Sequence, residues 1–515
     1  MPGTRLDTKA GILTNTVTAL PRPHARELTE TPLPFLEWSL VETGMTSWVG
    51  QEKEPIHASG VKDCDESRIT PVQVGIPSGV RIAGQPAVKA GRLFPNDYAW
   101  ESGLYPGSSA FLDDDIYRLW YHGPAGLLYA QSADGLVWTR PLIDFVPYAS
   151  GESTNLLPPM DNDGGRRLFL HEGCIFKDLN GRSEDLYKAV FSASVTAAEL
   201  EQYEEQLGLP ASAAAHMKKK VLFGAESPDG LSWRMTDRPV MLHPGDPQVS
   251  VEYDPALRRY VGFFQGQEMS RRTVARAETE DFRRWPLPMT VLASGPGDEP
   301  AVDYLHGSYA SYPGLPSIKL LLLTVYDAGR DRAEIRLAVS RDTVSWHLLP
   351  GASPIPPGEA GAFDECGTIA NHGLLPAADG RFALVYSGCN RPLSYPKTAA
   401  NACRPGGAWW PADRMAALEA PDRGEFTTVQ LRLKGTRVLL NLQTERTGEV
   451  RMEIRDSHFR PIAGRTFADG DSLSGDHSWT PVTWRGDSDL APLKGHAVYL
   501  RFRLRAAKLF AIKAG

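Results

Sequence analysis

The 515-residue sequence lacks any apolar run near the roughly 20 residues that a membrane-spanning helix requires, so no membrane partner is expected. It also lacks a long basic run and has a formal net charge of −7, which argues against a nucleic-acid partner. Its N-terminus has no continuous apolar core of the kind that a secretory signal needs. The five cysteines are odd in number, scattered and without metal-ligand spacing, which predicts reduced thiols and a cytoplasmic location.

A short pattern recurs along the chain. Ser132-Ala-Asp-Gly-Leu-Val-Trp138 returns, with changes, at 227–233, 279–285 and 340–346. In each copy a polar turn that contains Asp follows an apolar strand and a Trp closes it, which is typical of a tight hairpin with the aromatic side chain under the turn. We therefore interpret these residues as structural and look for catalytic groups elsewhere.

The strands around this pattern form a repeating unit. Each unit has a strand of small and apolar residues, then an aromatic strand, a third strand and a fourth strand after the Trp turn. Five aromatic strands mark five units, and they are 117–122, 187–191, 259–264, 319–326 and 382–387. In the fifth unit we predict the third strand at Arg414–Glu419. The fold class is therefore predicted as all-β, a five-bladed β-propeller followed by a C-terminal β-sandwich.

The domain boundaries follow from where this pattern begins and ends. Residues 1–78 are predicted as an extended arm, 79–424 as the propeller and 425–515 as the sandwich, whose strands alternate apolar and polar residues. Two insertions lie between second and third strands: a helix over 196–207, and a Pro-rich segment from Gly388 to Asp413. Both should overhang the mouth at which the first strands begin. A contact in a homo-oligomer is the alternative role for the helix.

That mouth is the predicted site, because acidic residues reach it from every unit. The candidate catalytic residues are Glu172, Glu101, Asp303, Glu365, Asp246 and Asp364. The candidate substrate-binding residues are Trp100, Tyr105, His171, Gln248, Arg271, Arg272, His306, Asn371 and His372. Several acids in one funnel suit glycosidic bond cleavage, in which one acid protonates the leaving oxygen and a carboxylate activates water or attacks carbon. Two other charged runs, Asp113–Asp115 and Lys218–Lys220, are interpreted as solvated.

The chain resembles the five-bladed propeller glycoside hydrolases of families 32, 43, 62, 68, 117 and 130. The resemblance covers residues 90 to 515. It is carried by the repeated hairpins, by Tyr117-Arg-Leu-Trp-Tyr121, by His171-Glu-Gly-Cys-Ile-Phe-Lys-Asp178 and by Gly448-Glu-Val-Arg-Met-Glu-Ile454. The Trp-Met-Asn-Asp-Pro-Asn-Gly and Arg-Asp-Pro motifs of family 32 are absent, and Glu365-Cys366 lies in the fifth unit where that family has its Glu-Cys pair in the third. The resemblance therefore implies architecture and leaves the substrate open.

The leading hypothesis is an exo-acting glycoside hydrolase that takes an oligosaccharide or glycoside as substrate. The alternatives are a glycan-binding propeller without catalysis, a glycoside phosphorylase that uses basic groups at the mouth and, third, a sialidase. No cofactor and no metal ligands are predicted. His171, His306 and His372 near the mouth leave an axial divalent ion as an alternative, since some family 43 relatives hold calcium there.

Overall fold

The computed structural model of the protein describes residues 26–49, 55–56, 70–149, 151–246, 248–394, 403–457 and 459–515. Their regular secondary structure is almost all β, with two α-helices, which confirms the all-β prediction. They divide into two compact units. Unit 1 holds the described residues of 86–348 and 353–411, and unit 2 holds those of 21–85, 349–352 and 412–515. No helix among them is both long and apolar enough to pass through a membrane.

The strands are numbered in chain order over the described residues. Those before residue 86 are β1 (Arg26–Leu28), β2 (Leu33–Pro34), β3 (Met45–Val49), β4 (Pro55–Ile56), β5 (Thr70–Val74) and β6 (Arg81–Gly84). Unit 1 contains β7 (Val88–Arg92), β8 (Ser108–Asp113), β9 (Ile116–Gly123), β10 (Gly126–Ser132), β11 (Trp138–Thr139), β12 (Leu168–Lys177), β13 (Tyr187–Ser194), β14 (Lys220–Ser227), β15 (Arg234–Met241), β16 (Ser250–Asp254), β17 (Arg259–Glu268), β18 (Arg271–Thr279), β19 (Met289–Leu292), β20 (Val302–Tyr312), β21 (Leu315–Asp327), β22 (Arg332–Ser340), β23 (His347–Leu348), β24 (Gly367–Ala370), β25 (Leu375–Pro376), β26 (Phe382–Cys389) and β27 (Cys403–Trp410). The last five are β28 (Ala416–Thr427), β29 (Leu431–Leu433), β30 (Val438–Arg455), β31 (Asp476–Pro481) and β32 (Ala497–Ala514).

Unit 1 is a series of antiparallel meanders. They are β8–β11, β12–β15, β16–β19, β20–β23 and a last one in the order β24, β26, β27, β7. A single parallel pairing of Ala333 with Gly367 joins the last two into one sheet. Strand β7 comes from the beginning of the unit and pairs antiparallel with β27, so the last meander is completed by residues that lie some three hundred positions earlier in the sequence.

This arrangement corrects two predictions about the last meander. Its third strand is β27 (Cys403–Trp410), and the predicted Arg414–Glu419 is wrong because residues 416–419 pair with β6 and β32 of unit 2. The Pro-rich insertion is correspondingly shorter than 388–413, and residues 395–402 lie outside the described part. Cys389 and Cys403 form a disulfide across the paired ends of β26 and β27, so the prediction of reduced thiols is wrong for these two residues.

The predicted helix over 196–207 is confirmed as α1 (Ala197–Leu207), and a second short helix, α2 (Ala213–Lys218), follows it. Thr196 caps α1 by accepting a hydrogen bond from the backbone N–H of Glu199, whose carboxylate returns to the Thr196 N–H. Gly208 ends α1 in the left-handed conformation. Both helices lie between the second and third strands of the β12–β15 meander.

The core of unit 1 lies between successive meanders. One apolar cluster contains both Trp120 of β9 and Phe223 of β14, and another contains both Phe264 of β17 and Phe176 of β12. A third cluster joins the last meander to the first, through Val385 of β26 and Leu119 of β9. Each sheet therefore buries both faces, which explains why its strands read as nearly continuous apolar runs.

The recurring Asp-containing pattern makes the turns that were predicted. In the first copy Asp134 Oδ1 accepts hydrogen bonds from the backbone N–H groups of Leu136 and Val137 (both 2.8 Å), and Ser132 Oγ accepts one from Gly135. The copies at 227–233 and 340–346 repeat these bonds. Burial tends to raise the pKa of Asp134, but the two backbone N–H groups outweigh it and lower the pKa overall. The residues that stand out most in the sequence thus hold hairpins together.

We expect Gly230→Ala to destabilise unit 1 through this turn. Gly230 has φ +75°, and an added Cβ would lie 2.8 Å from Trp120 Cζ2, whose indole N–H donates to the Gly230 carbonyl. Backbone strain and overpacking each cost about 1–3 kcal/mol. Gly380→Ala is the matched control, because Gly380 has φ +85° with no heavy atom within 4 Å of the added Cβ. Thermal unfolding should show the larger loss for Gly230→Ala, and equal losses would contradict the contact with Trp120.

A buried acidic group corrects the interpretation of Asp113–Asp115. Asp114 and Asp115 are exposed as predicted, but Asp113 is buried and pairs with Lys177 Nζ (2.5 Å). Tyr187 O–H also donates to Asp113. Burial tends to raise the pKa of Asp113, and the hydrogen bond from Lys177 leads the groups that together lower it. This carboxylate therefore links the first two meanders and is not solvated.

Unit 2 is a second β-structure with long strands. Its main sheet has the order β1, β29, β32, β28, β6, and β30 also pairs with β32 and β31. The extended arm predicted for 1–78 falls partly outside the described residues. In the described part β1 pairs parallel with β29, β2 pairs antiparallel with β32, and β3, β4 and β5 form a separate sheet. Strand β6 and residues 416–427, most of which were assigned to the propeller, also belong to unit 2.

Candidate active site

The first strands of the five meanders contact one another in turn around a ring. Five hydrogen bonds make these links: Ile175 N–H to Ser109 Oγ (2.9 Å), Val251 N–H to Cys174 Sγ (3.2 Å), Tyr309 N–H to Ser250 Oγ (2.9 Å), Ser308 Oγ to Asn371 O (2.6 Å) and Ala110 N–H to His372 O (2.9 Å). Small side chains allow these strands to approach closely and satisfy backbone groups that sheet pairing leaves free. The residues at the starts of the strands are thereby held near one polar mouth.

Glu172 of β12 is the most distinctive group at this mouth. The residue is 2% exposed, Lys220 Nζ lies 2.6 Å from Oε1, and His171 Nε2 lies 3.8 Å from the same oxygen. Oε2 is buried and has no hydrogen-bond partner among the described residues. The pairing of β12 with β13 shifts register between Phe169 and Cys174, and such a bulge re-aims the side chains within it. Glu172 thus has one oxygen fixed by a cation and one oxygen open.

Three neutral polar side chains share this buried, unpartnered character. Both amide atoms of Gln248, Nε2 of His306 and Nδ1 of His122 are buried without a hydrogen-bond partner in the described part of the chain. Gln248 and His122 are close together, since a Cβ at Gly107 would lie 3.4 Å from Gln248 Cδ and from His122 Nε2. The imidazole of His306 forms a hydrogen bond with the backbone of Gln248. We call His122, Gln248 and His306, together with Glu172, the open polar cluster, where open means that each has a buried polar atom without a described hydrogen-bond partner.

Both histidines of the open polar cluster are uncharged. Burial lowers the pKa of His122 to about 3, with a further contribution from His171. Burial also lowers the pKa of His306 to about 3, with a further contribution from His372. Such imidazoles can donate from one nitrogen and accept at the other across the physiological pH range.

An aromatic group borders the Glu172 side of the mouth. Tyr105 and His171 stack with ring centroids 5.1 Å apart, and Phe169 meets His171 edge-on at 6.1 Å. Lys220 Nζ lies 3.6 Å from the centroid of the Phe169 ring while it pairs with Glu172. These three rings are partly exposed, so they can contact a ligand that reaches the carboxylate.

A cavity of about 440 Å³ opens beside the third and fourth meanders. Two ion pairs line it: Asp246 with Lys218 (2.5 Å) and Asp303 with Arg272 (3.9 Å). Burial tends to raise the pKa of Asp246, but the hydrogen bond and charge of Lys218, with Lys220 and His171 beyond it, lower the pKa overall. Lys218 is the last residue of α2, so this second helix forms part of the cavity wall.

Two predicted site residues have structural contacts instead. Tyr121 O–H donates to Glu101 Oε1, while Arg140 and the backbone N–H of Tyr98 hold Oε2. Trp100 is buried in the core, stacks on Tyr98 and donates to Asn155 Oδ1 (2.8 Å). Neither contacts the open polar cluster, and Trp100 is too buried to serve as a platform for sugar.

The two acids of the last meander differ from each other. Asp364 is buried, and its Oδ2 accepts from Tyr386 O–H (2.8 Å) and pairs with Lys89 Nζ of β7 (2.5 Å). This pair holds the completing strand to the meander. Glu365 is partly exposed and accepts from the backbone N–H of Gly361 (2.6 Å). The structure brings neither into contact with Glu172.

The remaining predicted binding residues are tied into the scaffold. Asn371 Nδ2 donates to Ser108 Oγ (2.6 Å) and Oδ1 accepts from Ser387 (3.0 Å). His372 Nδ1 lies 2.8 Å from Ser250 Oγ, and burial lowers its pKa to about 4. Arg271 donates to the backbone carbonyls of residues 302 and 300.

Three site residues were missed by the sequence analysis. Lys218 and Lys220 pair with Asp246 and Glu172, so the interpretation of Lys218–Lys220 as solvated is wrong for both. A signal was available, because these lysines directly precede a third strand on the face where the first strands begin. His122 ends the aromatic strand β9, and second strands end at that same mouth.

Among the described residues no group of three or more His, Cys, Asp or Glu side chains is placed to hold a metal ion. The hydrogen-bonding groups of the open polar cluster instead match a neutral, hydroxyl-rich ligand. Amide, imidazole and carboxylate groups can donate to and accept from hydroxyls in a fixed geometry.

We expect the buried histidines to make folding stability depend on pH. The folded-state pKa of His306, about 3, lies below its ordinary value of 6.5. As the pH falls below about 6.5 the unfolded chain therefore takes up the proton first, and stability is lost by up to about 1.4 kcal/mol per pH unit for this histidine. Urea unfolding between pH 7 and pH 4 should show a shallower decline for His306→Gln. An unchanged slope would contradict the neutral, buried state.

No protein-family model matches the sequence, and no curated protein matches it either. Solved structures do match. An N-acetylgalactosamine deacetylase from F. plautii has 14% identity and a TM-score of 0.42, covering 66% of this chain and 97% of its own. A mannoside-targeting structure of glycoside hydrolase family 130 has 13% identity and a TM-score of 0.38 over 78% of this chain and 99% of its own. A family 43 protein from Bacillus licheniformis has 10% identity and a TM-score of 0.38 over 80% and 98%.

These similarities include two of the families, 43 and 130, that the sequence also resembles. At such identities and TM-scores they carry no argument about activity, which has to come from the site itself.

Proposed function

We propose that the protein is a glycoside hydrolase, that its meanders are the five blades of a β-propeller, and that unit 2 is an appended β-sandwich. The observation that carries the functional proposal is Glu172, a buried carboxylate with one oxygen held by Lys220 and the other buried without a described partner. An unsatisfied buried polar group costs roughly 1–3 kcal/mol. A ligand that completes the hydrogen bonds of such groups would remove this cost.

The carboxylates can take the roles that glycosidic bond cleavage needs. Glu172, beside an ammonium group, serves as the base that activates water or as the nucleophile. Asp303 serves as the proton donor to the leaving oxygen, because its side chain faces the cavity at 18% exposure and its described ion pair with Arg272 is loose at 3.9 Å. Asp246, whose pKa is lowered, stays ionised and stabilises positive charge at the sugar ring in the transition state.

The neutral members of the open polar cluster would bind sugar hydroxyls. Gln248 offers one donor group and one acceptor, and the imidazoles of His122 and His306 each offer an open nitrogen. Tyr105, stacked on His171, provides an aromatic surface at the rim for the apolar face of a sugar ring. The cavity is walled on one side by α2, which supports an exo mode in which a chain end enters.

Glycoside phosphorolysis is the second candidate, because Lys218, Lys220 and Arg272 stand beside the proposed acids. Cationic side chains at that position could bind inorganic phosphate as the attacking group.

The test is a screen of aryl furanosides and pyranosides with the full-length protein, with and without inorganic phosphate. Release of the aryl group in phosphate-free buffer is the expected result. Release that requires phosphate and yields a sugar phosphate would favour the second candidate. Binding of a sugar to the open polar cluster without turnover of any glycoside would instead favour a glycan-binding propeller.

A further inference from the structure

One face of the unit 2 sheet carries a dense field of arginine. Strands β28, β32 and β30 lie side by side, and residues directly opposite on paired strands share a face. Three rows lie across this face, each with one residue from β28, its partner on β32 and the next partner on β30. They are Arg423, Arg505 and Glu449; Glu425, Arg503 and Arg451; and Thr427, Arg501 and Glu453. We call these nine residues the arginine grid. With five arginines and three glutamates the arginine grid has a net charge of +2, in a chain whose formal net charge is −7.

The other face of the same strands explains why the arginine grid is so regular. The alternate residues Phe426, Val450, Met452, Phe502 and Leu504 are buried in the apolar core of unit 2. Because side chains alternate between the two faces of a strand, the residues between them lie on the opposite face, where Thr427 and Glu453 are buried and the five arginines are partly or well exposed. Outward positions need only be polar, so the choice of arginine at five of them is not explained by folding.

The glutamates are already occupied within the arginine grid. Glu425 accepts from Arg503 Nε (2.8 Å) and from Arg501. Glu449 pairs with Arg505 (3.2 Å) and with Arg451 (3.4 Å). Hydrogen bonds from Arg503 and Arg501 outweigh burial and lower the pKa of Glu425, so it stays ionised. The glutamates thus hold the guanidinium groups in place while leaving other N–H donors of each arginine available.

The exposed arginines surround a groove of about 630 Å³. Arg423, Arg451, Arg503 and Arg505 line it together with Glu425, Glu449 and Ser78. The side chain of Arg503 is 55% exposed, and Arg423 is exposed and makes no ion pair within the described residues. We call this the arginine groove. Its donors point to an anionic ligand with several charged groups.

We propose that the arginine groove binds an acidic polysaccharide, a chain of sugars that bear carboxylate or sulfate groups. The planar fork of arginine matches two oxygens of a carboxylate or sulfate at once. Arginines two residues apart on one strand are about 6.5 Å apart, so successive rows meet successive anionic groups. The glutamates within the groove interrupt its positive charge, which suits anionic groups spaced along a sugar chain better than the continuous phosphates of nucleic acid. The proposal does not depend on the active site.

Binding can be measured with the full-length protein by affinity electrophoresis and calorimetry. The probes are polygalacturonate for carboxylate, dextran sulfate for sulfate, and neutral dextran as the matched uncharged chain. We expect binding to at least one acidic probe, none to dextran, and weaker binding as salt is raised because exposed charges are screened. Arg423→Gln and Arg503→Gln should each weaken it about 10-fold or more. Arg423→Gln breaks no described ion pair, so loss of binding there cannot be ascribed to a broken internal contact.

Arg485→Gln is the control, since Arg485 lies in unit 2 outside the groove, is 80% exposed and pairs with Asp469. It should bind as the unchanged protein does. The proposal is overturned if neither acidic probe binds, if Arg485→Gln loses as much affinity as Arg423→Gln, or if a short DNA duplex binds as tightly as the acidic polysaccharide. None of these outcomes depends on whether the protein cleaves a glycoside, so failure here is distinct from failure of the proposed hydrolase activity.

Discussion

Glu172→Gln is expected to lower kcat/KM for any glycoside that the protein cleaves by about 10²- to 10⁴-fold. The amide has the shape of the carboxylate but can neither accept the proton of a water molecule nor attack the anomeric carbon. It also replaces the oxygen that accepts from Lys220 at 2.6 Å, so positioning is weakened along with the chemistry. The measurement is steady-state kinetics on the best substrate of the aryl glycoside screen. Because the sugar still meets Gln248, His306 and His122, we expect the loss in kcat to exceed the change in KM.

The matched control is Glu365→Gln, which makes the same chemical change at a partly exposed residue held by the N–H of Gly361. It should retain activity within about 3-fold, since removing a solvent-facing charge costs little. Near-wild-type activity of Glu172→Gln would refute the proposed site. Loss of activity in Glu365→Gln alone would instead move the site to the last meander, where Glu365 is itself a catalytic candidate predicted from the sequence.

Local patterns made much of the architecture predictable. The turns at 132–138 and 227–233 depend on bonds between residues two or three positions apart, so a short window of sequence contains all the groups involved. The helix α1 was predictable for the same reason, since Thr196 and Glu199 cap each other.

The last meander could not be predicted in full because its partners are far apart in the sequence. Strand β27 contains Arg404-Pro-Gly-Gly407, which has low strand propensity, and it is stabilised by pairing with β26 and β7. No local signal shows that Val88–Arg92 completes this sheet. The strand at 416–419 looked like the missing third strand, but it pairs with β6 and β32 in unit 2.

The structure separates the candidate site residues by how each side chain is held. Glu172, Gln248 and His306 do share buried, unpartnered atoms near the mouth, whereas Glu101 and Asp364 are held by scaffold partners. Sequence alone cannot separate these cases, because a buried acid with a full set of partners and one with an open oxygen are the same residue type. Which of the two it is depends on whether a residue distant in the sequence reaches the acid, as Arg140 reaches Glu101 and Lys89 reaches Asp364.

A buried acid that loses its cationic partner should also destabilise the fold, and we expect the largest effect on stability from Lys319→Met. Lys319 of β21 and Asp254 of β16 are fully buried and their Nζ and Oδ2 atoms lie 2.5 Å apart. Tyr309 O–H also donates to Asp254 (2.9 Å). Removing the cation leaves Asp254 charged and buried with only neutral partners, and loss of one member of a buried pair costs about 3–5 kcal/mol. Urea unfolding of unit 1 should therefore shift to a clearly lower midpoint.

Two further variants separate burial from charge in this prediction. Arg330→Met removes a cation from the pair with Asp327 in the hairpin between β21 and β22, where the arginine is 74% exposed, and should cost about 1 kcal/mol or less. Adding Asp254→Asn to Lys319→Met removes the stranded charge and should recover part of the stability, because a neutral amide is cheaper to bury than a carboxylate. The 2.5 Å contact predicts that the two losses are not additive. A double variant that loses as much stability as Lys319→Met and Asp254→Asn lose in sum would contradict this interaction. Among the described residues of unit 1, buried charge thus stabilises the scaffold where both partners are present, and Glu172 differs because its Oε2 has no described partner.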